Sequence, residues 1–530
     1  MPYAARIGPW LVGLLGVAAA AQAAEFHVHP AGGADGDGSL ARPWDLATAL
    51  AQPAAVHPGD TLWLHGGTYA GSFVGRLRGA PGERVVMRSA PGEWARIDGA
   101  GSPETTLELQ GEWADYRDFE VTHTGPERRD DRPGGIDVLG PNLRLINLVL
   151  HDLGNNGFWT PAVDSEIYGC LVYHNGYDAA DRGHGHGIYS QNQSGTKRIA
   201  DNILFGGYSF GIHVYTEGGA IQGYDLVGNI AFNAGVVSSV SGHKDDILVG
   251  GLQPADRILL RENLLWAIGG DTRSVQLGYG VANGEVRLED NYIIGALAFS
   301  QPWSSVRMTG NTLCTVTGVD PGDHPDNTYL TSDPPEVRVF VRPNQHEPGR
   351  AHVAVYNWTR AQAVEVDLSG VLAPGDSFEV RNAQAFFAAP VAGGVFSGAP
   401  VSLPQTGLEP AQPIGTPGSY DPADQTGALF NVFVVRRTAA ACPDCEPDGA
   451  DADGAGPDAG QDDGGADGAG ADAAPGPDGE DVTGPDGGDG EGSAGEPQAG
   501  CGCGAGGEAG AWPLLAGLAL ALAWRGLRRR

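Results

Sequence analysis

A short pattern recurs between about residues 117 and 315: one polar residue, most often asparagine, then two or three apolar ones. It reads Asp118-Phe-Glu-Val, Asn147-Leu-Val-Leu, Cys170-Leu-Val-Tyr, Asn202-Ile-Leu-Phe, Asn229-Ile-Ala-Phe, Asn263-Leu-Leu-Trp, Asn291-Tyr-Ile-Ile and Asn311-Thr-Leu-Cys. By subtraction, the starts lie 29, 23, 32, 27, 34, 28 and 20 residues apart. Periods in this range mark a solenoid. The apolar runs are strand-length, glycine is abundant at 84 residues and no helical periodicity competes, so the repeat is a β-solenoid. Equivalent positions of stacked coils lie above one another, so the recurring asparagines are expected to form a structural ladder of side-chain amides. Cys170 takes one ladder slot. Cys314 lies five spacings later, roughly 24 Å away at ~4.8 Å per coil, beyond the reach of a disulfide.

A second alignment concerns side-chain direction. Gly135-Ile-Asp137, Gly157-Phe-Trp159, Gly187-Ile-Tyr189 and Gly211-Ile-His213 share one frame, and Gly235-Val-Val237 continues it more weakly. Strand side chains alternate faces. Ile136, Phe158, Ile188 and Ile212 are therefore predicted to point into the core. Asp137, Trp159, Tyr189 and His213 then point outward in one column, joined by Gln191 and Tyr215. Aromatic faces in a row stack on sugar rings, and polar tips between them bind hydroxyls. Neighbouring loops add Arg128, Arg129, Arg132, His184, His186, Glu217, His243, Lys244 and Asp245. The competing expectation is that another part of the chain packs over these aromatics. In the stretch "GHGHGIYSQN", strict alternation places His184 and His186 on the inward side of Ile188, whereas the flanking glycines place them in a turn at the groove's rim. Two histidines make a poor metal site, and His213 is the obvious third ligand.

The entry segment, "FHVHPAGGADGDGSLARPWDLATALAQ" followed by "HPGDTLWLHGGTY", resembles the opening of right-handed parallel β-helix proteins of the pectate-lyase-like superfamily. The resemblance spans roughly residues 25–320. It implies an all-β solenoid whose open end is capped by a strand, a glycine-rich loop and a short helix at "DLATAL", because an uncapped coil would template aggregation. It fixes no activity, since this fold hosts lyases, hydrolases, epimerases and inert adhesins. From about residue 335, "VRVFVRP", "HVAVYNW", "AVEVDL", "SFEVRNA" and "FNVFVVRR" alternate apolar and polar, which predicts an antiparallel β-sandwich over 335–437.

Both ends carry address labels. Residues 1–24 read as a secretory signal: Arg6, the apolar "WLVGLLGVAAAA", then Ala21-Gln22-Ala23 as cleavage site. Residues 446–500 carry 16 Asp/Glu and no Lys or Arg, with almost nothing apolar to bury, which predicts an extended, disordered linker. Cys501-Gly-Cys503, the short apolar "AWPLLAGLALALAW" and the arginines at 525 and 528–530 resemble the C-terminal sorting tag of myxobacterial surface proteins. That resemblance implies export, processing of the tail or attachment to the cell envelope through the tail, and an outer-surface or extracellular location in a Gram-negative bacterium. Cys442 and Cys445, at the mouth of the linker, suit a local bridge.

The formal net charge of −33 argues against nucleic acid as a partner. The expected partner is a polysaccharide, bound by a monomer. A polysaccharide lyase needs a base and a neutraliser for the uronate carboxylate. His184, His186, Tyr189, His213 and Lys244 are the catalytic candidates, with Asp137, Trp159, Gln191, Tyr215 and Glu217 binding substrate. Calcium through Asp137, Glu217 or Asp245 is the one cofactor to consider, although no calcium-loop spacing is present. Hydrolysis would need two suitably spaced carboxylates, and Asp137 with Glu217 is a weak pair. The Gly-His-Gly is similar to a short element of β-helix polygalacturonases, but their Asn-Thr-Asp, paired Asp and Arg-Ile-Lys are not found in matching order. A non-enzymatic, stalked glycan-binding adhesin is the third class.

Overall fold

The computed structural model describes residues 23–126, 128, 132–240, 244–267, 272–415 and 427–439. Almost all of the signal segment, the acidic linker, the tail, Arg129, Asp130, Asp131, His243 and the last four cysteines lie outside these residues.

Residues 25 to 329 form a parallel β-helix whose coils each contribute to three faces. The first face is an eleven-stranded parallel sheet from Glu25–Val28 to Trp303–Thr309. The second runs from Gly67–Ala70 through Val149–His151, Leu171–Tyr173, Ile203–Phe205, Ile230–Phe232 and Leu264–Trp266 to Thr312–Thr317. The third contains Leu107–Leu109, Ile136–Val138, Asn156–Thr160, His186–Ser190, Ile212–Val214, Ile247–Val249 and Arg273–Leu277. Its inward residues Ile136, Phe158, Ile188, Ile212, Ile247 and Val275 are fully buried in one continuous core. Asp45 N-caps the short helix Leu46–Leu50, whose Leu46, Ala49 and Leu50 are buried against the first coils.

The amide ladder exists, with a shifted start. Asn202, Asn229, Asn263, Asn291, Asn311 and Asn327 are bonded in sequence: each Oδ1 accepts the backbone N–H and the Nδ2 of the preceding asparagine, at 2.7–3.2 Å. Cys170 occupies the slot before them and donates its N–H to Asn202 Oδ1. Strand register pairs Val149 with both Glu120 and Leu171, so the equivalent slots in the two earlier coils are Phe119 and Leu148. Asp118 and Asn147 stand one position earlier, in the left-handed turn shared with Asp201, Glu262 and Asp290. Asparagine suits both positions, an amide acceptor in the ladder and a tolerated residue at positive φ, which is why the repeat reads one residue out of step there. Cys170 is a free, buried thiol and is therefore not bridged to Cys314.

The predicted continuation at Gly235-Val-Val237 is not a rung. Register pairs Ile212, His213 and Val214 with Ile247, Leu248 and Val249, so Gly235-Val-Val237 lies in the connection between the strands Ile230–Phe232 and Ile247–Val249, where Val237 packs on Tyr208.

After the solenoid, Arg338–Pro343, Arg350–Tyr356, Ser377–Asn382, Ala392–Val395 and Phe430–Ala439 form a five-stranded antiparallel sheet, backed by the pair Ala363–Val366 and Val401–Pro404. One face of the larger sheet packs flat on the second face of the solenoid. Tyr356, Trp358, Phe430, Val432 and Val434 share a core with Tyr173, Phe205, Phe232 and Trp266. Along this covered face His151, Tyr173, Phe205 and Phe232 stack ring on ring at 5.0, 5.0 and 5.1 Å.

Candidate active-site groove

The third face stays open. Register brings Asp137, Trp159, Tyr189 and His213 side by side in consecutive coils, followed by Leu248 and Gln276. All but Gln276 line a groove of about 1080 Å³. Of the ten candidate residues, nine line it: Asp137, Trp159, His186, Tyr189, Gln191, His213, Tyr215, Glu217 and Lys244.

Four glycines shape one wall. A Cβ on Gly135, Gly157, Gly187 or Gly211 would lie 2.5–2.7 Å from the carbonyl oxygen of Gly157, Gly187, Gly211 or Asp246 respectively. Each coil therefore bends at its glycine to let the next coil's carbonyl in. The residues just before the bend, Asn156, His186 and Phe210, line the groove although their parity with Phe158, Ile188 and Ile212 would turn them inward. His186 is thus neither in a turn nor in the core. It opens the strand His186–Ser190 with its ring in the groove.

His184 is the exception. It belongs to a small hairpin in which Tyr177–Asp178 pairs with Gly183–His184. Its Nε2 meets Asp181 at 2.9 Å and its ring stacks on Tyr177. Gly185, at φ +86°, turns the chain between the two histidines and separates their environments. A three-histidine metal site with His213 is not assembled. Arg128 and Arg132 also leave the predicted site: both are buried, Arg128 on Asp152 and the carbonyls of Leu153 and Gly176, Arg132 on carbonyls including those of His123 and Gly125. A buried guanidinium needs such acceptors, and the inserted loops supply them.

The centre of the groove is an aromatic cluster around His213. Its Nδ1 is 3.2 Å from His186 Nε2, Phe210 stacks on it at 4.6 Å, Tyr215 at 4.8 Å, and Tyr189 lies at 5.3 Å. His213 Nε2 has no hydrogen-bond partner among the described residues. Burial, reinforced by Arg182, pulls His213 down to about 3, so the ring is neutral at ordinary pH. Burial and then His213 hold His186 neutral as well. Tyr189 is pushed up by burial and by Glu217, and stays a protonated donor. Lys244 is lowered by burial and by Arg182, with Asp245 opposing.

Polarity differs across the groove. The wall where the strands begin carries Arg182, Lys244 and His186. The wall where they end carries Gln191, Gln193, Tyr215, Glu217 and Tyr279. Trp159 Nε1 donates to Gln191 Oε1 at 3.2 Å, and Gln191 Nε2 to the carbonyl of Tyr215 at 2.9 Å. Beneath this wall the buried amino group of Lys197 donates to the carbonyls of Thr160 and Gln191, tying two coils together under the aromatic floor. Arg182 was not among the predicted residues. It sits in the hairpin inserted between two coils, and nothing local in the sequence marks where such a loop folds.

The carboxylates do not converge. Asp137 accepts from Thr105, Glu217 from Tyr215, and Asp245 is paired with Arg273 and is not among the groove-lining residues. Among the described residues no group of three or more His, Cys, Asp or Glu is arranged to hold a metal.

No protein-family model and no curated protein matches the chain. Solved structures match it in fold. Pectate lyase Pel9A is 16% identical over 56% of this chain and 81% of its own, with a TM-score of 0.38. A rhamnogalacturonan lyase is 12% identical over 58% and 87%, with a TM-score of 0.42. The GH136 lacto-N-biosidase from Eubacterium ramulus is 12% identical over 58% and 67%, with a TM-score of 0.38. Likeness at this level concerns the path of the backbone, and the chemistry of this chain is read from its own groove.

Proposed function

We propose that the groove binds a uronate-containing polysaccharide and cleaves it by β-elimination, on a protein exported and displayed at the cell surface by its terminal segments. The observation that carries this reading is His213: a neutral imidazole with a free Nε2, in an aromatic-lined groove, beside a wall bearing Arg182 and Lys244. The two cations face the substrate carboxylate and stabilise the negative charge that develops when the neighbouring proton leaves. His213 Nε2 takes that proton from the carbon alpha to the carboxylate. The electron pair forms the new carbon–carbon double bond, the bond from the beta carbon to the glycosidic oxygen breaks, and the Tyr189 hydroxyl protonates the departing oxygen. One tautomer of the histidine pair permits this. His213 Nδ1–H donates to His186 Nε2, and the remaining proton of His186 sits on Nδ1, which is buried without a partner.

Hydrolysis fits the geometry less well. Asp137 lies three coils from the His213 coil that leads into Glu217, roughly 14 Å at ~4.8 Å per coil. Glycosidase carboxyl pairs stand about 5–9.5 Å apart.

The test is incubation of the purified protein with a panel of uronate polysaccharides, following the ultraviolet absorbance of the unsaturated product. His213→Gln is expected to lower kcat by about 10²–10⁴-fold, the usual contribution of a general base. Reducing-sugar release without the absorbance would replace elimination by hydrolysis, and glycan binding with neither would make the chain an adhesin.

A further inference from the structure

The groove is not uniform along the solenoid axis. Arg182 and Lys244 lie beside the coils of Tyr189 and His213, and Arg182 acts electrostatically on both His213 and Lys244. Toward the N-terminal end the lining changes. Trp159 is one coil from Tyr189 and Asp137 one coil further. Asp137 accepts a single hydrogen bond, from Thr105 Oγ1 at 3.1 Å, and no cationic side chain pairs with it among the described residues. Thr105, Asn155 and Asn156 complete that end. Such a set recognises hydroxyls: the carboxylate accepts from them, the amides exchange bonds with them, and the indole face takes the apolar side of a sugar ring. Burial pushes the Asp137 carboxyl up to about 6, so above that pH it opposes a second carboxylate, since like charges in a partly desolvated site repel strongly.

We infer that the groove takes a mixed glycan, with the uronate at His213 and an uncharged, hydroxyl-rich sugar over Trp159, so that a polymer of uronate alone is a poor ligand. This rests on the reading that the Arg182 and Lys244 wall receives the uronate carboxylate, and it names the substrate class of that site.

Binding, which needs no turnover, tests it. The probes are uronate hexasaccharides of gluco, galacto and manno configuration, and matched hexasaccharides whose three residues at one end, or at the other, are neutral. Titration calorimetry on the full protein is expected to show one of the half-neutral probes binding at least tenfold more tightly than the all-uronate probe of its configuration. Asp137→Asn is expected to tighten the all-uronate probe at least fivefold and so to narrow the gap between it and the half-neutral probe, with the melting temperature confirming the fold. Equal affinity for all probes overturns the inference. So does weaker all-uronate binding in Asp137→Asn, or all-uronate binding that depends on calcium and is lost in that variant, because Asp137 would then recruit a cation. Arg182→Gln with Lys244→Gln separates the two levels. If uronate affinity falls at least tenfold in that double variant and Asp137→Asn behaves as expected, but the unaltered protein forms no unsaturated product from any probe, the lyase reading fails by itself; if uronate affinity survives the double change, both fail. If it falls at least tenfold while Asp137→Asn changes nothing, only the present inference fails.

Discussion

At the scale of single residues, the proposed elimination depends on keeping imidazoles neutral. An exposed histidine titrates near 6.5. His213 is held at about 3 by burial first and Arg182 second. A base must be unprotonated, so the acid limb of kcat/KM is expected below about pH 4 rather than near the ordinary imidazole value. Replacing Arg182 with glutamine removes a cation that disfavours the imidazolium, so the limb moves up toward 6.5. A pH–rate profile of the two proteins checks both the position and the direction, and a wild-type limb near 6.5 would assign the base elsewhere. Much of this cluster was legible beforehand. Two-residue alternation with a glycine frame is enough to orient Tyr189 and His213 outward. His184 misled because Gly185 reverses the chain between two histidines that look equivalent on paper. Arg182 and Phe210 were missed because they stand on segments between strands, where no periodicity assigns a face.

At the scale of elements, the ladder is the most exacting device. Asn263 accepts from Asn229 N and Nδ2, and donates to Leu226 O and Asn291 Oδ1. Asn263→Ala leaves buried donors unpaired at about 1–3 kcal/mol each, so a loss of about 3 kcal/mol or more is expected in denaturant titration. A loss below about 1 kcal/mol would mean that the stack closes over the gap. The repeat announced this device in the sequence, but not its first member. Asp118 and Asn147 satisfy a different local demand, a backbone turn at positive φ, one residue before the slot filled in their coils by Phe119 and Leu148. The false rung at Gly235 arose from the same weakness: a glycine followed by apolar residues marks a strand only when the coil before it is known to have ended. Ile247–Val249 was hidden behind an insertion of variable length.

At the scale of the molecule, two aromatic columns run along one solenoid and meet different fates. His151, Tyr173, Phe205 and Phe232 are roofed by the second sheet, whereas Trp159, Tyr189, His213 and Tyr215 are left open. Composition does not distinguish them, and only the placement of the following sheet does. That sheet shares its core with the solenoid, so a chain ending near residue 335 would expose Tyr173, Phe205, Phe232 and Trp266 together. Such a truncation is expected to be insoluble or to bind a hydrophobic dye strongly, and a soluble, dye-negative product with an unchanged melting temperature would show the sheet to be dispensable. The glycine bends carry a different implication, about heredity. Each missing Cβ makes room for the carbonyl of the next coil, so the four positions constrain one another like teeth on a rack. The groove can therefore lengthen or shorten only in steps of a whole coil. A descendant gene lengthens such a groove by duplicating a repeat, not by accumulating point changes along the wall.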